Sequence, residues 1–172
     1  MASAILSVLV GKNFACIKIA GRANCESSPD FKALLDGLAE KSFRHFILDL
    51  GECVLMDSTF LGVLAGFGMK LNPKGAPAER GIELHNANER VSELLENLGA
   101  VQLFKLTNGA LRLPGVTKSC ETEFIHPTHE QLVRTSLEAH ETLMAMNPEN
   151  VARFTDVTRF LAEDLRNVEK WS

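Results

Sequence analysis

The tripeptide Asp57-Ser58-Thr59 stands between two strongly apolar segments, and its carboxyl and hydroxyl groups are well placed to do chemistry. Asp and Ser are favoured at helix starts, where backbone N–H groups lack partners and the helix dipole attracts negative charge. The run that follows, residues 60–64, is apolar on nearly every side of such a helix. A phosphate on Ser58 would lie in the field of the helix start, so the position suits either a structural cap or a charged modification.

Other residue types that support catalysis or metal binding form no complete set. His126, His129 and His140 lie in or near one segment, but no carboxylate completes a ligand pattern with them, which disfavours a metal site. The sequence contains no Ser-His-Asp order, no phosphate-binding P-loop and no GxGxxG motif. We therefore predict no catalytic residues, no metal and no cofactor, and a protein that is not an enzyme.

Composition bounds the remaining classes of function. The 172 residues are 45% hydrophobic and 23% charged, which predicts a folded core. The net charge is −4 without a long basic run, which argues against binding to nucleic acid or to an anionic membrane. No apolar stretch reaches the ~18 residues of a membrane span. The N-terminal MASAILSVLVGKN lacks the basic region of a signal peptide and predicts a first strand instead.

The four cysteines, Cys16, Cys25, Cys53 and Cys120, show no CxxC pairing. This spacing is typical of small buried or half-buried thiols in a reducing compartment, and not of disulfides or a zinc site. We therefore predict a cytoplasmic protein.

Alternating strands and helices must position the Asp57-Ser58-Thr59 tripeptide. Turn residues, capping residues and apolar spacing predict these elements. In chain order they are strands at 3–10 and 14–20, a helix capped by Ser28 with Pro29 at its first position, a strand at 46–50, a helix at about 58–71, a loop at 72–81, a strand at 82–87, a helix opened by Asn88 and ended by Gly99, and a strand at 101–107. The order predicts an α/β domain over residues 1–107, a mixed sheet with helices packed mainly on one face.

The C-terminal third follows a different pattern. Residues 108–127 lose periodicity and predict a linker, with one more strand suggested by GALRLPG at 109–115. Residues 128–172 predict a helical hairpin extension, an αα-hairpin joined at Asn147-Pro148, because they carry two heptad-like series. The series are Leu132, Ser136, Ala139, Leu143 and Met146, and then Val151, Phe154, Thr158, Leu161, Leu165 and Val168. We expect both series to be buried, against the sheet domain or in a dimer.

The segment FILDLGECVLMDSTFLGVLAG resembles the phosphoacceptor segment of the STAS family, the anti-sigma-factor antagonists and their sulphate-transporter relatives. GIELHNANERVSELLENLGAVQLFKL also resembles the later strand-helix-strand of that family, so the resemblance covers roughly residues 3 to 107. One position departs from the family pattern, since Phe60 stands where the family usually has Gly. The matching positions are Asp49, Leu50, Met56, Asp57, Ser58, Thr59, Leu61, Gly62, Val63 and Leu64.

This resemblance implies a STAS-like fold and a regulatory function. It implies that Ser58 is the phosphoacceptor of an ATP-using anti-sigma-factor kinase, that a phosphatase resets it, and that the chain acts in transcription regulation without catalytic machinery of its own. A partner that packs on unmodified Ser58 would have to desolvate a dianion after phosphorylation, and a cost of about 3 kcal/mol weakens binding about 100-fold. The predicted partner-binding residues are Asp57, Thr59, Phe60, Val63 and Asn24; Asn24 lies where family members often carry Asp, and it either bonds the nearby loop or only makes a turn.

The apolar helix after Ser58 leaves two interpretations open. Residues Leu61, Leu64, Ala65 and Gly68 can face the sheet, whereas Phe60, Val63 and Phe67 lie largely on another side. That second side is either covered by the C-terminal hairpin or exposed as a partner surface, and Gly62 and Gly66 allow close backbone approach on a third side. If Ser58 is a phosphoacceptor, its hydroxyl should lie at the surface beside exposed apolar area from Phe60 or Val63.

Two classes of function therefore remain. In the first, Ser58 switches the binding of an anti-sigma factor or related serine kinase. In the second, the STAS fold is a constitutive scaffold and the hairpin drives assembly, including a homodimer. The intact Asp57-Ser58 pair favours the first class, and Phe60 with the long extension favours the second. In the second class Asp57 or Ser58 would only cap the helix.

Overall fold

The computed structural model describes residues 3–73, 81–113, 115–116, 118–122 and 125–171; of the loop predicted at 72–81, residues 74–80 lie outside this part of the chain. The elements alternate as the sequence predicts. In chain order they are β1 (Ile5–Val10), β2 (Ala15–Ala23), α1 (Ser28–Glu40), β3 (His45–Asp49), β4 (Cys53–Met56), α2 (Ser58–Leu71), β5 (Gly81–His85), α3 (Glu89–Asn97), a 3-10 turn (Val101–Leu103), β6 (Phe104–Thr107), β7 (Lys118–Glu121), α4 (His129–Met146) and α5 (Glu149–Lys170).

The strands form one mixed sheet in the order β6-β5-β3-β2-β1-β7, with β4 paired to the end of β2. Strands β2, β3, β5 and β6 run parallel, and β1 pairs antiparallel with both β2 and β7. The central strand β3 buries Phe46, Ile47 and Leu48 in succession, as expected for a strand covered on both faces. The predicted α/β class with a mixed sheet is confirmed.

Helix α2 is apolar on nearly every side because it is covered on more than one side. Its residues Leu61, Leu64 and Ala65 are fully buried, α1 packs beside it, and α4 packs along it. Helix α4 lies on the side of α2 that carries Gly62 and Gly66. On the second side, Phe60 packs on Phe31 of α1, and Phe67 packs on Phe46 of β3. The hairpin therefore covers the third side, and these two aromatic residues of the second side are buried by the α/β domain itself.

The hairpin forms from α4 and α5, which pack against each other. In α4 the predicted series is buried at Ser136, Ala139 and Leu143. In α5 the series is only half-buried, and its first member, Val151, is exposed. The predicted burial is thus met by three of the five members in α4, where Leu132 and Met146 are half-buried. It is met only in part by α5, whose principal packing partner is α4. No helix in the described ranges is both long and apolar enough to cross a membrane.

Several local predictions need correction. Strand β4 was not predicted, and it forms because its pairing with residues 21–23 of β2 is non-local. The additional strand does not lie at 109–113 but at β7, where Lys118–Glu121 add to the edge strand β1 although all four residues are exposed. Ser28 begins α1 but does not cap it, since Ser27 holds the N-cap position and the Ser28 hydroxyl donates to the carbonyl of Asn24.

Candidate functional site

The parallel pairing of β4 with β2 positions the polar tripeptide. The backbone N–H of Asp57 donates to the carbonyl of Ala23 at 2.9 Å, which places the start of α2 beside the loop that leads from β2 to α1. Asp57 then caps α2: its Oδ1 accepts from the N–H of Phe60 at 2.9 Å. Its Oδ2 accepts from the N–H of Cys25 at 2.7 Å. One carboxylate thus joins the helix start to the neighbouring loop.

Burial raises the pKa of the Asp57 carboxyl, although the hydrogen bonds from the Phe60 and Cys25 amides act in the opposite direction. A raised folded-state pKa means that the folded protein binds the proton more tightly than the unfolded chain does. The contribution of this group to stability is therefore largest at low pH and falls as the pH rises from the ordinary aspartate range towards neutrality.

We expect Asp57→Ala to lower the free energy of unfolding by about 1–2 kcal/mol, because it removes the cap of α2 and the tether to Cys25. Asp57→Asn should cost less, because its amide oxygen can still accept from Phe60. Relative to Asp57→Asn, the wild type should lose stability as the pH rises. Urea unfolding of the three proteins at several pH values measures both effects, with Asp156→Asn, a change at a carboxylate that is 77% exposed, as control. A constant difference between wild type and Asp57→Asn across that range would contradict the assignment.

Ser58 is the first residue of α2, as predicted, but its hydroxyl is half-buried and is not free. Its Oγ lies 2.9 Å from Nε2 of His140 in α4. The other ring nitrogen of His140, Nδ1, lies 2.7 Å from the carbonyl oxygen of Ser136. A carbonyl can only accept, so Nδ1 carries the hydrogen, and Nε2 of the neutral ring accepts from the Ser58 hydroxyl. The candidate phosphoacceptor is thus tied to the hairpin.

The expected exposed apolar area beside Ser58 is absent, and this part of the prediction is wrong. Phe60 is 0% exposed and Val63 is 9% exposed. The Phe60 ring stacks on Phe31 of α1, with ring centroids 4.2 Å apart. The physical reason is that α4 covers one side of α2, while Phe60 turns inward against α1.

The other predicted partner-binding residues lie around the same helix start. Asp57 is half-buried and Thr59 is 5% exposed. Asn24 is half-buried in the loop after β2, where its side-chain oxygen accepts from the N–H of Ser27 at 3.3 Å. This is the turn-forming role that the sequence left as an alternative, and the loop that it shapes contains Cys25, the residue bonded to Asp57.

The predicted close backbone approach occurs at Gly62. A Cβ placed on Gly62 would lie 2.5 Å from the carbonyl oxygen of Ala139 in α4, closer than non-bonded atoms can stand. At Gly66 the corresponding Cβ would meet the Thr142 side chain at ordinary distances, 3.5 Å from its methyl group and 3.7 Å from its hydroxyl oxygen. Gly62 is therefore the position where α2 and α4 need a glycine.

A groove of about 140 Å³ lies between α1, α2 and α4. Its lining includes Gly62, Gly66, Lys32 and Glu138, and it includes neither Ser58 nor His140. Pockets that hold drug-sized ligands usually measure ~300–1,000 Å³. In the Ser58–His140 pair, the second imidazole nitrogen is bonded to a backbone carbonyl, and the pair does not border this groove. Its geometry therefore suits a structural contact between α2 and α4 better than a catalytic nucleophile.

The three histidines do not converge. His129 lies 3.0 Å from Asp164 of α5, whereas His140 contacts Ser58. Among the residues that the structure describes, no group of three or more His, Cys, Asp or Glu is arranged to hold a metal. The role of His140 was missed at the sequence level. Its signal was a polar residue directly beside Ala139, a member of the apolar series of α4.

The four thiols follow two patterns. Cys16 and Cys53 are buried, Cys25 and Cys120 are exposed, and all four are free. Burial, together with the nearby carboxylates of Asp49 and Glu83, raises the pKa of Cys16 to about 12. The expectation of small buried thiols is met by Cys16 and Cys53 only.

Comparisons with known proteins agree with this architecture. The sequence matches the family described as STAS domain over residues 6–110. A structure described as that of a candidate anti-sigma factor antagonist from Thermotoga maritima superposes with a TM-score of 0.52 at 19% identity, covering 59% of this chain and 85% of its own. An anti-sigma factor antagonist from Mycobacterium paratuberculosis superposes with a TM-score of 0.50 at 16% identity, covering 58% and 81%. The comparison with curated proteins gives no significant match.

Proposed function

The chain belongs to the STAS domain family, and we propose that it is a regulatory protein-binding module of the anti-sigma-factor antagonist type, switched by phosphorylation of Ser58. The observation that carries the proposal is the position of the Ser58 hydroxyl, on the first residue of α2 and directly after the capping carboxylate of Asp57. The structures with which the chain superposes, described as anti-sigma factor antagonists, support the same class of function.

The electrostatics of the helix start support a charge switch. Phosphorylation would add about −1.5 to −2 charges at neutral pH, at the end of α2 where the helix dipole favours negative charge. It would also replace a hydroxyl donor with acceptor oxygens that face the acceptor Nε2 of His140. A partner surface that fits the neutral hydroxyl would then have to desolvate a dianion, so modification changes binding without unfolding the domain.

The proposed partners follow from this switch. They are an anti-sigma factor or related serine kinase that phosphorylates Ser58 and a phosphatase that reverses the reaction, in the cytoplasm and in the control of transcription. Asp57 and Asn24 are partly accessible to such a partner, whereas Thr59, Phe60 and Val63 are buried in the present arrangement. A partner that uses the last three must first displace what covers them.

We expect Ser58→Glu to bind the anti-sigma factor encoded in the same genome at least about tenfold more weakly than Ser58→Ala. The reason is that Glu brings a charge into the contact and Ala does not. Isothermal titration calorimetry with the purified partner measures both affinities, and phosphopeptide mass spectrometry of the chain from its host checks the modification. Ser119→Glu, which adds the same charge on the edge strand β7, should bind like the wild type.

A constitutive scaffold is the second candidate, and exposed apolar side chains on α5 and directly after its end favour it. Phe160 is 62% exposed and Trp171 is 90% exposed, so the hairpin offers apolar side chains that a homodimer could bury. Equal affinities of Ser58→Glu and Ser58→Ala for the partner, with no phosphate found on Ser58, would show that Ser58 has only a structural role at the helix start. That result would favour the scaffold.

A further inference from the structure

The surface of α4 that is buried in the fold is largely small or polar. Its buried residues are Thr135, Ser136, Ala139 and His140, together with the larger apolar Val133 and Leu143. A domain core is built mainly from large apolar side chains, whereas polar contacts between parts of a chain resemble transient protein–protein interfaces. The contact between α4 and the rest of the molecule therefore has the chemistry of a docked partner.

Two contacts set the position of α4 on α2. The Ala139 backbone lies so close to Gly62 that a Cβ there would be 2.5 Å from the Ala139 oxygen. One residue further on, Nε2 of His140 accepts from the Ser58 hydroxyl at 2.9 Å. Together they select a helix with a small residue opposite Gly62 and a hydrogen-bond acceptor beside it.

The part of the chain that matches the family contains α2 but not α4. The family match ends at residue 110, before α4 begins at His129. The Thermotoga maritima structure covers 59% of this chain with 85% of its own length. It therefore has the same fold but no counterpart for most of the other residues of this chain. Helix α4 is thus an addition to a complete fold, placed on the helix start that carries Ser58.

The joint of the hairpin is fixed separately. Asn150 at the start of α5 donates to the carbonyls of Leu98 and Leu143 at 3.0 and 2.9 Å. Arg153 donates to the carbonyl of Asn97 at 2.7 Å, at the end of α3. These bonds tether the hairpin to α3, so a displaced α4 would remain close to α2 at a high effective concentration.

We propose that the α2 face between Ser58 and Gly66 is a docking surface for an amphipathic helix, and that α4 is its intramolecular, autoinhibitory occupant. The partner contributes a helix of the same chemistry, with Ala or Gly opposite Gly62 and a hydrogen-bond acceptor opposite Ser58, and it displaces α4. This inference rests on the proposed function in that both place the partner on α2, but it does not require phosphorylation.

The test uses the full chain and a fluorescein-labelled synthetic peptide of residues 128–147. Ala139→Leu places a bulky side chain against Gly62, which should expel the chain's own α4 and leave the α2 face intact. The peptide should then bind this variant at least about tenfold more tightly than the wild type, whose face is occupied. Gly62→Ala should also release α4 but block the face, so it should bind the peptide no better than the wild type. The control Glu141→Ala changes an exposed position of α4.

Hydrogen–deuterium exchange on the same proteins gives the independent measurement. In Ala139→Leu, the amides of α4 should lose protection and those of β3 and α2 should keep it. Three results would overturn the proposal: an exposed α4 without peptide binding, unchanged protection of α4 in both Ala139→Leu and Ala139→Leu/His140→Ala, or unfolding of the sheet together with α4. None of these results involves phosphorylation of Ser58, so each leaves the Ser58 switch to its own experiment. A failure of the Ser58 switch would likewise leave open the displacement of α4 by a partner helix, which is tested here.

Discussion

Phe60→Ala should lower the free energy of unfolding by about 3–5 kcal/mol, as expected for loss of a fully buried aromatic side chain. Phe60 is 0% exposed and stacks on Phe31 across the α1–α2 contact. The variant leaves a cavity between two helices and also removes the ring–ring contact. Urea unfolding followed by circular dichroism measures the change. The stacked pair of Phe60 and Phe31 thus joins α1 and α2.

The matched control for this prediction is Phe160→Ala in α5, where the ring is 62% exposed. An exposed truncation should change the free energy of unfolding by no more than about 0.5 kcal/mol. If Phe60→Ala had an equally small effect, Phe60 would not be a core residue. The original expectation of a surface-exposed partner contact would then regain support.

Gly62→Ala should detach α4 from α2 at a cost of about 1–3 kcal/mol, typical of overpacking. The added Cβ would stand 2.5 Å from a backbone oxygen of α4, which cannot yield as a flexible side chain can. Movement of α4 would also break the Ser58–His140 hydrogen bond. Hydrogen exchange should show lost protection in His129–Met146, whereas the central strand β3 should remain protected.

Gly66→Ala provides the comparison within the same helix. Its Cβ would be 3.5 Å from the Thr142 methyl group, and alanine improves helix propensity by up to about 1 kcal/mol. Gly66→Ala should therefore keep α4 protected and be neutral or stabilising. Equal loss of α4 protection in both variants would show that any glycine-to-alanine change in α2 releases α4, and that the close approach at Gly62 is not the cause.

Local signals in the sequence determined several elements of the fold. Helix α2 spans Ser58–Leu71 as predicted, because an N-cap carboxylate precedes a continuous apolar run. Gly99 follows α3 with a φ of +71°, the left-handed conformation that favours glycine after a helix. The alternation of these elements was sufficient to predict a mixed α/β sheet, since strands joined through helices run parallel.

Short strands were less predictable than helices. Strand β4 has four residues, and its pairing partner is the end of β2, more than thirty positions earlier in the chain. Strand β7 consists of four exposed residues paired with β1. Neither strand has the alternation of apolar and polar residues by which a strand is recognised in a sequence. Each is held instead by hydrogen bonds to a strand that is distant in the chain.

The candidate site shows the same division. The sequence by itself determined that Asp57 and Ser58 begin a helix, because capping and apolar periodicity act over a few neighbouring residues. Only the tertiary structure decided that the Ser58 hydroxyl meets His140, 82 positions away, and that Phe60 points inward to Phe31. An apolar helix can be covered on either side by more than one element. Which element covers it depends on the docking of α4, a packing choice made by close contacts such as Gly62 against Ala139 that local sequence patterns do not contain.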